Sequence, residues 1–321
     1  MMYHVRNNIN DLKKIYYNII NFYQKYKYKN YNNMKKSDCL LLVYTHEAYT
    51  FKVLAELLQN CVLDACFIIN EKGIKLTGTD SKSLSGTKLV HLELLRDNFL
   101  TYHVPKEELQ IGINLMHLYK MLKSIKKKDK LTLFINKSNT LNLGILIQGH
   151  ENHFFSENYV KITNYRSVDT ELPDGYEMPI ITSAKEFAKL KSLNRVSKYI
   201  QITYHKQKIE FFCDKENVYS KKITFGDTSN NNDDDDDTDD EDDIDTFTQK
   251  YETEQIIQLV KVAGLSTNVK IFYDKILPLK FQLNVGCLGQ ISIYMKSKEM
   301  IEEDERENDD NSTMLFYLNN D

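Results

Sequence analysis

The chain has 321 residues, 41% of them hydrophobic, no tryptophan, and a formal net charge of −4. That length leaves room for two ordinary domains, each with its own core, and no apolar run is long enough to cross a membrane as a helix. The five cysteines, at 39, 61, 66, 213 and 287, include no CxxC pair, which fits reduced core residues better than a disulfide framework.

The charge is segregated. Asp227–Asp245 holds 12 acidic residues and no basic one, and the tail from Glu299 holds nine acids against Arg306 alone. The remainder carries 41 bases against 25 acids, a basic body suited to a polyanionic partner.

In chain order, residues 1–38 form an extension, partly helical or disordered. Ile9, Leu12, Ile15, Ile19, Phe22 and Tyr26 give it a helical stripe, and polar residues interrupt any signal-peptide core. The first strand is CLLLVYT (39–45). Phe51, Leu54, Ala55, Leu57, Leu58 and Val62 then recur at helical spacing, predicting an amphipathic helix. CFIIN, IKLTGTD and TKLVHLEL follow as alternating strands with a tight turn at Gly73. A second helix, Leu115–Ile125, leads into the strands LTLFIN and TLNLGILI, and NYVKIT (158–163) is expected at a sheet edge. Residues 39–163 read as one domain. NYRSVDTELPDGY (164–176), broken by Pro173 and Gly175, reads as a connector.

The same order returns in residues 177–298. The helix EFAKLKSLNRV (186–196) precedes YIQITY, IEFF and SKKITF, and the helix Glu252–Val262 precedes VKIFY and LKFQLNV. The chain therefore reads as an internal duplication of the α+β class, two similar domains with helices on antiparallel sheets. Within the second domain, the acidic stretch 227–245 cannot bury a core and is expected to be a disordered loop, dispensable for folding. It lacks the fixed glycine and terminal glutamate of a calcium-binding EF-hand. Residues 299–321 read as an acidic tail, closing on the apolar cluster NSTMLFYLNN (311–320).

Motifs for chemistry are missing. There is no GxGxxG, phosphate-binding GxxxxGK[ST] or GxSxG. His150 and His153 form the only close histidine pair and lack a third ligand at metal spacing. Asp80, near Ser81 and Ser83, has no histidine close in sequence and is expected to fix a loop by accepting backbone N–H bonds. An enzyme is disfavoured, and no metal or cofactor is expected. What remains is lysine on helices: Lys120 and Lys123 share a face opposite Leu115, Leu118 and Leu122.

Several of these segments, in this order, resemble the proliferating cell nuclear antigen family of eukaryotic and viral sliding clamps. The opening Leu40–Ile69, IKLTGTDS with Asp80, LQIGINLMHLYKMLKS (109–124), EFAK (186–189), KKITFGDTSN (221–230), ILPLKF (276–281) and Tyr294 before an acidic end all carry it. The resemblance implies helices lining a central hole, antiparallel sheets outside, and a closed ring made as a homotrimer. It implies a polymerase processivity factor encircling double-stranded DNA. The implied DNA contacts are Lys52, Lys120, Lys123, Lys189, Lys191, Arg195 and Lys261. Val53 stands where a second basic residue is common, and Glu254 where an arginine is common. Subunits are expected to join by pairing Phe154–Ile162 of one copy with Val218–Phe225 of the next.

The implied partners are DNA polymerase and other client proteins, bound by short peptides, and an ATP-dependent clamp loader. The client pocket is expected at Leu172, Pro173, Pro278, Tyr294 and Met295, with Lys296 and Ser297 on its rim. Lys206 resembles the family's ubiquitin-acceptor lysine. The place of action is the nucleus, or a viral replication factory. The alternatives are a subunit of a heterotrimeric checkpoint clamp and a clamp-derived scaffold that no longer encircles DNA.

Overall fold

The computed structural model describes residues 35–80, 87–150, 154–165, 170–205, 207–216, 218–226 and 246–307. The expectations for residues 1–34, Lys206, the acidic stretch 227–245 and the 311–320 cluster lie outside the described residues.

The first half contains β1 (Cys39–Thr45), α1 (Ala48–Cys61), β2 (Asp64–Asn70), β3 (Gly73–Thr79), β4 (Lys88–Leu95), β5 (Thr101–His103) and β6 (Leu109–Asn114). It continues with α2 (Leu115–Leu122), β7 (Lys130–Asn136), β8 (Asn139–Gln148) and β9 (Phe155–Lys161). The second half begins with β10 (Ile180–Ser183) and α3 (Ala184–Phe187), which tightens into a 3-10 turn through Leu193. Then come β11 (Tyr199–His205), β12 (Lys208–Lys215), β13 (Tyr219–Gly226), β14 (Phe247–Glu252) and α4 (Thr253–Leu259), again tightening into a 3-10 end at Gly264. It finishes with β15 (Asn268–Phe272), β16 (Leu279–Val285), β17 (Gly289–Met295) and a helix, α5, over residues 298–307.

Among the described residues these strands form three antiparallel sheets, with strand orders β5-β1-β7-β8-β9, β10-β15-β16-β17-β4-β3-β2-β6 and β13-β12-β11-β14. The duplication is visible in them. The run β1-β7-β8-β9 repeats as β10-β15-β16-β17, and β4-β3-β2-β6 repeats as β13-β12-β11-β14. Inside the chain the two halves are joined by antiparallel pairing of β17 with β4, from Gly289↔Leu94 to Met295↔Lys88. By the repeat, β9 corresponds to β17 and β13 to β4. Both stand at the edge of a sheet.

Two other edges, β6 and β14, are covered by the chain itself. Gly112 in β6 exchanges backbone hydrogen bonds with Thr163 at 3.2 and 2.9 Å. The Lys250 N–H in β14 donates to Glu299 Oε2 at 3.2 Å. In each half, the segment after the last strand thus covers the outer edge of the equivalent strand, a common way of blunting an edge.

Local chemistry moved some boundaries. The third helix was expected over 186–196 but starts at Ala184, because Ser183 Oγ accepts the Glu186 N–H at 3.1 Å as an N-cap. Strands β5, β6, β10, β14 and β17 were not read from the sequence. The cysteines at 39, 61, 66 and 213 are buried and Cys287 is exposed, and no disulfide joins any two of them. The start of the acidic tail is ordered. Ser297 Oγ accepts the Met300 N–H at 3.2 Å, Lys298 pairs with Glu302 at 3.2 Å, and Lys296 pairs with Asp304 at 2.6 Å.

The core of the second half contains a polar chain. Tyr204 donates to the Tyr251 hydroxyl at 3.0 Å, Tyr251 donates to Gln249 Oε1 at 2.8 Å, and Gln249 Nε2 reaches the Lys275 carbonyl at 3.2 Å. Tyr251→Phe removes the middle link and leaves the fully buried Tyr204 O–H and the Gln249 oxygen unmatched. The expected loss is about 1–3 kcal/mol, larger than for Tyr204→Phe, after which Tyr251 still donates to Gln249. Denaturant midpoints of the two variants at one protein concentration check this order.

Candidate functional site

Among the described residues, four of the helices lie side by side in the order α2, α1, α4, α3. In α1 the residues Phe51, Val53, Leu54, Ala55, Leu57 and Leu58 are buried, and Tyr49, Lys52, Glu56 and Asn60 form the half-exposed stripe on its free side. α2 buries Leu115, Leu118 and Leu122, which leaves His117, Lys120 and Lys123 outward. Its start is fixed by Asn114, whose side chain accepts the His117 N–H at 3.1 Å. α3 and its 3-10 extension bury Ala184, Phe187, Leu190 and Leu193, placing Lys185, Lys189 and Lys191 in solvent.

The seven cations expected on this layer are not equivalent. Lys120, Lys123, Lys191 and Arg195 are exposed and make no ion pair among the described residues. Arg195 holds a left-handed backbone, φ 62°, at the end of the 3-10 turn. Lys189 is paired with Glu186 at 2.5 Å, and Lys261 with Glu56 at 2.6 Å across the two halves. Lys52 Nζ donates to the Ile125 carbonyl at 3.0 Å and sits 5.6 Å from the Tyr49 ring. Val53 is buried against Gly264, where an added Cβ would come 3.0 Å from Val53 Cγ1, so a charged side chain has no room there. Sequence reasoning passed over Lys185, which lies one helical turn before Lys189 on the same face and is exposed.

A second surface lies on the outer face of the eight-stranded sheet. Register places Leu89, Tyr294, Lys280 and Phe272 side by side across β4, β17, β16 and β15. The connector is fastened over them by Tyr176, whose hydroxyl donates to the Pro278 carbonyl at 2.6 Å and whose ring meets Phe272 edge-on at 5.9 Å. Lys280 Nζ lies 5.1, 4.8 and 5.3 Å from the rings of Tyr176, Phe272 and Tyr294, within cation–π range of all three. Burial there holds the Lys280 ammonium below its usual pKa, partly offset by Asp174. Desolvation likewise raises the Tyr294 phenol.

Around this cage, Leu172, Met178 and Ile276 are exposed, and Pro173 and Pro278 are half-buried. Two expected pocket residues are placed differently. Met295 and Ser297 are fully buried, Met295 because β17 is central in its sheet with both faces covered, Ser297 because it caps α5. Tyr294 is also largely buried, under the cage. Lys296 remains partly exposed, tied to Asp304. Lys280 and Tyr176 were missed as members of this surface. The strand alternation that puts Lys280 level with Tyr294 is the signal that would have found Lys280.

Asp80 accepts the Thr87 N–H at 3.0 Å and the Thr87 hydroxyl at 2.7 Å, and residues 81–86 between them lie outside the described residues. Among the described residues, no group of three or more His, Cys, Asp or Glu could hold a metal ion, and no helix is long and apolar enough to cross a membrane.

The expected edges are β9 and β13. Phe154 and Tyr159 are exposed along the first, Val218 and Tyr219 along the second.

Comparison with known proteins gives two adjoining family matches: the proliferating cell nuclear antigen N-terminal domain over residues 41–170 and the C-terminal domain over 172–298. The chain is 23% identical over 267 residues to the probable DNA polymerase sliding clamp 1 of Paramecium bursaria Chlorella virus 1, covering 82% of this chain and 98% of that protein. It is 24% identical over 257 residues to the proliferating cell nuclear antigen of Chaetomium thermophilum, covering 78% and 95%. The crystal structure of the Entamoeba histolytica protein superposes with a TM-score of 0.66 at 20% identity, covering 81% of this chain and 99% of that one. Two domain models that together span most of the chain, on a twofold-repeated sheet with its helices in one layer, make this chain a member of the proliferating cell nuclear antigen family.

Proposed function

We propose that the chain is a DNA sliding clamp, a homotrimeric polymerase processivity factor that encircles duplex DNA and catalyses no reaction. The observation that carries this reading is the internal joint. β17 and β4 pair within the chain, and their repeats β9 and β13 both stand at sheet edges. Pairing β9 of one copy with β13 of the next reproduces the same joint, and repeating one joint around a closed path makes a ring. Our division of the chain is clamp domains at 39–163 and 177–298, with the connector at 164–176.

In that ring the helix layer faces the DNA. Lys120, Lys123, Lys191 and Arg195 supply free charge, with Lys52, Lys189 and Lys261 held by neighbours. Lysine point charges on phosphates give affinity without reading sequence. Moving along the duplex then exchanges like contacts for like.

The cage surface is the proposed client site, with Leu172, Pro173, Tyr176, Pro278 and Tyr294 forming the apolar wall and Lys280 its centre. Polymerase and other client proteins would dock there by short peptides. An ATP-dependent loader would open the ring. The place of action is the nucleus or a viral replication site.

The test is polymerase processivity on primed circular DNA with the purified chain, with mass by light scattering beside it. A trimer that lengthens extension products supports the proposal. A monomer that trimerises only with other subunits points instead to a checkpoint clamp, and a client-binding trimer without any processivity gain to a scaffold.

A further inference from the structure

The internal joint also shows what lies beside each strand pair. After β4 the chain folds against the turn that precedes β17. The Leu95 N–H donates to the Leu288 carbonyl at 2.9 Å, and Asn98 Nδ2 donates to the same oxygen at 3.2 Å. Transferred to the joint between copies, the chain after β13 of one subunit meets the turn before β9 of the next. The chain after β13 is the acidic stretch 227–245.

On the receiving side, an open groove is lined by Lys126, Lys127, Lys128, Gly149, His150 and Phe154. The three lysines are exposed and make no ion pair among the described residues. Their turn is built so that they point outward. Asp129 is buried, and its carboxylate accepts the Lys126 backbone N–H at 2.8 Å. Phe154, at the mouth, is 50% exposed.

We propose that this lysine groove receives the acidic stretch 227–245 of the adjacent copy, forming an electrostatic clasp at each subunit joint. The inference rests on the homotrimer reading above. Antiparallel pairing brings the Phe155 end of β9 opposite the Gly226 end of β13, so the acidic run leaves its own subunit at the neighbour's groove. Asp233 stands seven residues after Gly226, a reach of up to about 23 Å. The sign and density of charge match: three consecutive lysines against 12 acids. Duplex DNA is the less favoured occupant, because the groove opens beside the edge strand and is completed by the β8–β9 turn, not by the other helices of the layer. An ordering cost keeps each clasp modest, but a ring contains one at every joint.

The experiment measures trimer dissociation of the full chain across a salt series by analytical ultracentrifugation. The variants are Lys126→Ala with Lys127→Ala and Lys128→Ala, replacement of Asn230–Asp243 by a Gly/Ser link, and both together. Circular dichroism confirms folding, and Lys→Gln at the three positions serves if alanine disturbs the turn. Each single set is expected to weaken the trimer about tenfold near ~50 mM salt, and the combination no more than either alone. All should converge with the unaltered chain near ~0.5 M salt, where screening is nearly complete. Unchanged dissociation, additive losses, or a lysine set that impairs only DNA loading would overturn the clasp. If the unaltered chain never forms a trimer, the homotrimer reading itself falls.

Discussion

Replacing Lys120 and Lys123 by alanine is expected to lower loading onto primed circular DNA by roughly 10- to 100-fold at low salt while leaving the trimer intact. Both side chains stand on the free face of α2, exposed and without an ion pair among the described residues. The buried face of the helix, Leu115, Leu118 and Leu122, is untouched. In a trimer the change removes six cations from one ring. Each lost phosphate contact reduces the slope of log affinity against log salt by about 0.9. The variant should therefore show a shallower salt dependence, and its deficit should shrink as salt rises, because the unaltered chain loses its own advantage faster. The same substitutions at Lys189 and Lys261 are expected to do less, since each already faces a carboxylate, Glu186 or Glu56. Parallel salt slopes for the altered and unaltered chains would remove α2 from the DNA face.

Gly144→Val should destabilise the first half by about 2–4 kcal/mol. Gly144 lies in β8, and an added Cβ would come 2.3, 2.5 and 2.6 Å from three ring carbons of Phe134. That ring is 1% exposed and packs with Cys39, Leu42 and Leu146 in a small apolar cluster on the outer side of the sheet. It cannot keep its place beside a side chain at position 144. Overpacking alone costs roughly 1–3 kcal/mol, and expelling a buried phenylalanine adds to it. The damage reaches the subunit edge, because the Tyr159 ring of β9 meets Phe134 edge-on at 6.0 Å. A weaker trimer is expected together with the lower denaturant midpoint. Phe134→Leu in the Gly144→Val background should recover part of both by relieving the contact. A variant as stable as the unaltered chain would show that the ring has a second resting place.

Chain order alone was enough to read the duplication. Two helix types, each followed by alternating strands, recur in Phe51–Leu94 and in 186–225, and again in Leu115–Ile147 and in 252–285. Period decides such elements locally, since a helix buries every third or fourth residue and a strand every second. The cations of α2 and α3 were legible for the same reason: they occupy the positions the apolar stripe leaves over. Pairing was not legible. Nothing in the separate strings says that β17 lies against β4, or that Thr163 and Glu299 close the outer edges of β6 and β14. Burial on both faces of β17, which takes Met295 out of reach, follows only from its central place in an eight-stranded sheet. The acidic tail misled because charge density outweighed a local cap: Ser297 Oγ accepts the Met300 N–H, and Lys298 and Lys296 pair with Glu302 and Asp304 of α5. The cage of Tyr176, Phe272 and Tyr294 around Lys280 needs three strands and a connector at once. The sequence by itself determined what each segment is, because backbone geometry and side-chain periodicity act over a few residues. The tertiary structure decided which charges are free and which edges are open, because those depend on neighbours tens to hundreds of residues away.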